Sequence, residues 1–155
     1  MTTSITVDRG RLSVTITATT VIPAPREQVW AVLTDLGSYP DWNPFVRSFT
    51  GTLTQGSRIT VALQPGEDPP RTMRPTLIDV QPGRSFTWLG RVALPGVLDG
   101  RHTFTAGPHA DGSLLTQHER LSGLLVPAFT RLLTQDTPRA FVALNDALAA
   151  RVLHA

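Results

Sequence analysis

The chain contains no cysteine, no lysine and only one tyrosine. Lacking cysteine, it forms no disulfides and no thiolate metal sites. It has no apolar run of ~18 residues, so no segment is expected to span a membrane. Met1-Thr2-Thr3-Ser4 carries neither the basic nor the apolar stretch of a secretory signal, and a cytoplasmic location is the default expectation. The missing lysines also explain a misleading pI. That value is about 10.4, yet the formal net charge is only +2 and all 14 basic residues are arginine. Almost nothing titrates between neutrality and ~pH 12, so the pI drifts upward with little charge behind it. The arginines are spaced along the whole chain, whereas phosphate-backbone binding needs clustered cations. Nucleic acid is therefore not an expected partner.

Signatures of cofactor chemistry are missing too. There is no phosphate loop, no Gly-x-Gly-x-x-Gly and no Gly-x-Ser-x-Gly turn. His102, His109, His118 and His154 form no His-x-x-x-His pair, so neither a metal nor a cofactor is expected. Internal repeats, linkers and low-complexity stretches are absent. At 155 residues the chain reads as a single domain, 1–155, able to bury ~70% of its unfolded surface.

Leu12, Val14, Ile16 and Ala18 alternate with Ser13, Thr15, Thr17 and Thr19, the period of a strand with one wet face. Ser4 to Val7 can add a short strand before it. Pro25 opens a helix with Glu27 in its first turn, Val29, Leu33 and Leu36 as its buried stripe and Gly37 at its end. Next comes Tyr39-Pro40-Asp41-Trp42-Asn43-Pro44-Phe45, where two prolines force sharp turns while three aromatic rings demand burial. Two short helices propped against a curved sheet satisfy both demands. Strand-like segments follow at about 46–54, 57–64, 71–81, 84–91, 99–107 and 113–122, punctuated by Gly56, Pro82-Gly83 and Asp111-Gly112. From Val126 onward Phe129, Leu133, Ala140, Leu144 and Leu148 keep helical spacing, and Pro138 predicts a kink or short break recapped by Asp136 or Thr137.

These residues resemble the START-like, SRPBCC superfamily with its helix-grip fold, and within it the polyketide cyclase/dehydrase-like branch. The resemblance runs from about Val21 to Ala150. It is carried by Ile22-Pro23-Ala24-Pro25, Val29-Trp30, the Tyr39–Phe45 segment, Arg74-Pro75, Pro82-Gly83-Arg84, Trp88-Leu89-Gly90, Gly100-Arg101-His102, Glu119-Arg120-Leu121-Ser122-Gly123, Phe141 and Asn145. It implies an α+β fold in which a curved seven-stranded antiparallel sheet wraps a long C-terminal helix, with two short helices after the first strand. An apolar pocket is implied between sheet and helix. Pro138 departs from the family pattern of an uninterrupted helix.

Strand parity sharpens the site. If Phe104 faces inward, so does His102; if Leu115 and Leu121 do, Gln117 and Glu119 follow. His102 then lies opposite Gln117 or opposite Glu119, according to register. Two readings stay open: His102 as acid/base with Glu119 charging it, or a buried carboxylate merely satisfied by a histidine. Trp42 and Asn43 read as core and turn residues, or as ligand contacts, with Trp42 joining Trp88 on the pocket wall. Phe86, Phe104, Gln117, Leu121 and Phe141 are candidate ligand contacts, and Asn145, on the stripe of Phe141, could point an amide inward or bond helix to sheet. The apolar connection of Val92, Leu94, Val97 and Leu98 reads as a lid, placed like the gate and latch loops of plant receptors, or as simple loop packing or a dimer contact.

Three functions compete. A small hydrophobic molecule (a lipid, polyketide or aromatic metabolite) is bound in the internal cavity without chemistry. Alternatively, the chain acts as a cofactor-independent aromatase/cyclase, closing a poly-β-keto chain by intramolecular aldol reaction and dehydration. The third is a co-chaperone or stress-type interaction protein. A monomer or homodimer is expected in each case.

Overall fold

The computed structural model describes residues 1–64 and 69–155. Residues 65–68, in the connection between the segments read as strands at 57–64 and 71–81, lie outside that set. The β2 strand Ser13–Ile22 buries every second residue, as its alternation predicts. It pairs on one side with β1, Thr3–Arg9, a full strand where the sequence indicated a fragment. On the other side it pairs with β9, Gly112–Ser122. Beyond β9 come β8 (Leu98–His109), β7 (Ser85–Val92) and β6 (Thr76–Gln81), completing a six-stranded antiparallel sheet in the order β1-β2-β9-β8-β7-β6.

The expected single seven-stranded sheet is instead nine strands in two sheets among the described residues, while the helix-grip class stands. The second sheet is β3 (Val46–Thr50), β4 (Thr60–Leu63) and β5 (Arg71–Met73). Pro75, buried and without an N–H, ends the run that sequence alone reads as one strand over 71–81. Its carbonyl accepts from Ile59 N and Leu77 N donates to Ser57 O, so the two sheets stay stitched at that corner. A bulge between Leu77 and Asp79 explains why alternation fails there.

Helix α1, Arg26–Thr34, buries Val29 and Leu33, and ends three residues before Gly37. Leu36 is still buried, from a 3₁₀ turn at Leu36–Ser38. Helix α2 is the single turn Tyr39–Trp42, and Pro40 is accommodated because first-turn N–H groups have no helical partner. A 3₁₀ turn at Val126–Phe129 leads toward the C-terminal helix α3, Thr137–Leu153. At Pro138 there is neither a break nor a side-chain cap from Asp136. A π-helical turn at Leu132–Asp136 intervenes, in which Thr137 N donates to Leu132 O. Widening the turn removes the demand for an N–H that proline lacks.

Candidate functional site

Where α3 and the π-turn face the two sheets, a cavity of about 380 Å³ remains. The large sheet lends it Trp88, His102, Phe104, Gln117, Glu119 and Leu121. Val46, Phe49, Val61, Leu63, Arg71, Thr72 and Met73 come from the small sheet, Tyr39 and Phe45 from the bend, and Leu132, Leu133, Asp136, Thr137, Ala140, Phe141 and Leu144 from the helix. Most of this wall is carbon. Tyr39 presents only its ring, because its hydroxyl donates to Leu33 O at 2.8 Å.

Four residues expected at the ligand do not border the cavity. Trp42 packs on Tyr39 with ring centroids 4.5 Å apart and tilted by 49°, and donates its indole N–H to Ser38 Oγ at 3.2 Å. Asn43 Oδ1 accepts from the Phe45 and Val46 amides, each at 3.0 Å, which fixes the turn. Phe86 is fully buried, edge-on to Trp30 at 6.2 Å. Asn145 bonds helix to sheet instead of pointing its amide inward. Nor do Val92, Leu94, Val97 and Leu98 border the cavity. Their loop is pinned by Leu124 N to Gly96 O and Leu125 N to Val97 O, both 3.0 Å. In contrast, the contribution of the small sheet was not foreseen. Its alternating Val61 and Leu63 were visible, but nothing in alternation says which face meets a hollow.

The register sets His102 opposite Glu119, and Phe104 opposite Gln117. The imidazole lies between two phenyl rings, with centroids 4.2 Å from Phe104 and 4.7 Å from Phe141. His102 Nε2 meets Gln117 Oε1 at 3.2 Å. Gln117 Nε2 donates to Asn145 Oδ1 at 2.7 Å and to Phe141 O at 3.1 Å. Asn145 Nδ2 donates to Thr20 Oγ1 at 3.0 Å, which lies 2.7 Å from Thr3 Oγ1, and Thr3 donates to Asp146 Oδ1 at 2.6 Å. The direction of this chain follows from its surface end. A carboxylate only accepts, so Thr3 spends its hydrogen on Asp146 and Thr20 must donate to Thr3. At the buried end Gln117 Oε1 is left as the acceptor, which assigns the His102 proton to Nε2. Nδ1 therefore turns a lone pair toward Glu119, whose Oε2 is 3.8 Å away.

Burial pulls His102 down to about 3 from its ordinary 6.5, opposed in part by the hydrogen bond to Gln117. Burial likewise pushes Glu119 up to about 7 from 4.5. Both shifts favour the uncharged form, so near neutrality the pair is a neutral imidazole beside a half-protonated carboxyl, not an ion pair. Neither Glu119 nor His102 Nδ1 has a hydrogen-bond partner among the described residues, and both belong to cavity-lining side chains. Gly100 makes room for the carboxyl: a Cβ there would stand 2.9 Å from Glu119 Oε1.

These shifts predict opposing pH slopes. The Glu119 contribution is full below pH 4.5 and is lost as pH rises to about 7, because the unfolded chain releases that proton first. Between about pH 3 and 6.5 the unfolded chain binds a proton on His102 that the folded chain refuses, so stability rises with pH. Glu119→Gln should therefore unmask a stability that climbs from pH 3 to 6.5. His102→Phe should unmask one that falls from pH 4.5 to 7. Urea titrations across this range measure both, and parallel profiles would contradict the assignment.

Residues 13–153 match the family model described as polyketide cyclase / dehydrase and lipid transport. The chain belongs to that family. No curated protein sequence matches it. Among solved structures, this member of the polyketide cyclase / dehydrase and lipid transport family resembles a protein from Rhodobacter sphaeroides at 15% identity, covering 97% of this chain and 99% of that one, with TM-score 0.75. Norcoclaurine synthase from Thalictrum is similar at 18% identity, over 95% and 98% of the two chains, with TM-score 0.69. The di-domain ARO/CYC StfQ of the steffimycin biosynthetic pathway is 12% identical with TM-score 0.66. The match covers 91% of this chain but only 49% of StfQ, about half its length. At such identities the likeness is one of fold, and it agrees with the superfamily resemblance read from the sequence.

Proposed function

We propose that the protein binds a small, largely apolar molecule in the cavity, with one polar group of that molecule meeting Glu119 and His102. The observation that carries this reading is the contrast within the wall: a largely carbon-lined hollow of about 380 Å³ bordered by a buried carboxyl and imidazole with unmet hydrogen-bonding capacity. Burying ~300 Å² of apolar ligand surface contributes about 7 kcal/mol. Ordering and association entropy offset roughly half or more of that, so apolar burial alone leaves about 3 kcal/mol, a millimolar affinity, and the polar contacts with Glu119 and His102 set how much tighter binding becomes. A hydroxyl or enol placed between Oε2 and Nδ1 can donate to one and accept from the other, which favours an oxygenated ligand over a plain hydrocarbon. Native mass spectrometry of freshly expressed protein is expected to show a retained small molecule. A bare chain that also ignores apolar fluorescent probes would end this reading.

The His102–Glu119 pair favours a second reading, a cofactor-independent cyclase. Aldol closure needs a proton taken from one carbon and another given to the carbonyl oxygen that becomes a hydroxyl. Glu119, held at about 7, can take the carbon proton in its ionised form and hand it to the carbonyl oxygen once protonated, with His102 Nδ1 3.8 Å away orienting it. The cavity would supply orientation, holding the two reacting carbons of one chain together. Turnover of a poly-β-keto substrate, lost in both Glu119→Gln and His102→Ala while substrate is still bound, is the expected result for the enzyme. Binding with no turnover in the unaltered chain leaves the carrier. Should His102→Ala lower the melting temperature with binding unaltered, the histidine is structural.

A further inference from the structure

The side of the large sheet that faces away from the cavity holds a charge cluster that only strand pairing creates. Arg101 of β8 and Arg120 of β9 are direct cross-strand partners, and both are exposed. Directly opposed residues stand ~4.5–5.5 Å apart at Cβ, and like charges at that distance oppose folding. Arg91 of β7 lies on the same face one diagonal step away, paired with Asp99. Asp99 is the one acid lining this spot, and its charge is paired with Arg91. Its Oδ2 accepts from Gly96 N at 3.2 Å, and its Oδ1, 3.3 Å from Arg91 Nε, is buried without a hydrogen bond. Among the described residues Arg101 and Arg120 form no ion pair.

The surface between them is also hollow. A depression of about 340 Å³ is lined by Leu89, Arg91, Asp99, Arg101, Arg120 and Ser122. We propose that this depression is an oxyanion site that takes a phosphate group, with Arg101 and Arg120 as its principal donors. Each guanidinium offers a planar fork of N–H groups that matches two phosphate oxygens, and the Ser122 hydroxyl supplies one more donor. A bound dianion turns the repulsive pair into a clamp. Three guanidiniums on one patch are too few for a nucleic-acid track, which needs phosphates contacted in succession. The phosphate belongs either to a soluble metabolite or to a lipid headgroup.

The test follows arginine Nε–H signals by NMR during titration with inorganic phosphate at constant ionic strength. Saturable shifts are expected at Arg101 and Arg120, with Arg26 and Arg151 unmoved. Arg101→Gln and Arg120→Gln should each weaken phosphate about tenfold or more, and neither should lower the melting temperature, since each relieves the like-charge pair. Phosphate should raise the melting temperature of the unaltered chain and not of the variants. Co-sedimentation with phosphatidylcholine vesicles, with and without phosphatidic acid, then separates the sources. Capture that needs both phosphatidic acid and the two arginines assigns a headgroup. Phosphate binding without capture assigns a soluble phosphate. Uniform shifts at all arginines, or variants that lose stability while still binding phosphate, overturn the proposal.

Discussion

Ala140→Trp is expected to eject whatever molecule the protein carries while leaving the fold intact. Ala140 lines the cavity from α3 and is partly buried, so an indole there projects into empty volume. Small-to-large changes usually strain a packed core, because no space exists for the added atoms. Here about 380 Å³ is free, and filling it removes apolar area from water at about 25 cal/mol per Å². Ligand affinity should fall about a hundredfold or more, the loss of ~3 kcal/mol of contacts. Over the same change the melting temperature should hold or rise. Native mass spectra and thermal melts of the two proteins, side by side, decide the matter. Retained ligand with a lowered melting temperature would mean the ligand lies elsewhere.

The largest loss of stability is expected from Gln117→Leu. Gln117 is fully buried and stands at the junction of sheet, helix and histidine. Leucine is close in size, so packing survives while the polar partners are stranded. His102 Nε2 loses its acceptor and Asn145 Oδ1 its donor, each a buried group whose isolation costs about 1–3 kcal/mol. A combined loss of about 3 kcal/mol or more, or roughly 6–12 °C in melting temperature, follows. Urea denaturation measures it. The variant should also release the tautomer, because nothing then requires the His102 proton on Nε2. A change below about 0.5 kcal/mol, the scale of an ordinary surface substitution, would mean the network carries no weight.

Much of this was legible in the sequence because local rules and tertiary structure agree. The β2 alternation, the α1 stripe of Val29 and Leu33, and the inward parity of His102, Gln117 and Glu119 are consequences of side-chain period alone. Parity could not choose the His102 register, since the choice depends on the turn between β8 and β9. Aromatic size misled at Trp42 and Phe86, because a large ring fills a core as well as it lines a pocket. Phe49, Val61 and Leu63 were invisible as wall residues because their sheet folds over the hollow from outside the main one. The Arg101–Arg120 pair escaped for a related reason. Arginines nineteen positions apart read as dispersed until a hairpin sets them face to face.

The π-turn at Leu132–Asp136 has a consequence for how the cavity wall is phased. One additional residue per turn offsets everything upstream by about 100° relative to α3. That offset lets Leu132 and Leu133 border the same hollow as Ala140 and Leu144. Excising the exposed Gln135 would restore ordinary winding and swing both leucines away, opening the chamber at that end. How far the chamber extends at that end thus depends on one inserted position, set beside a proline outside the turn it widens.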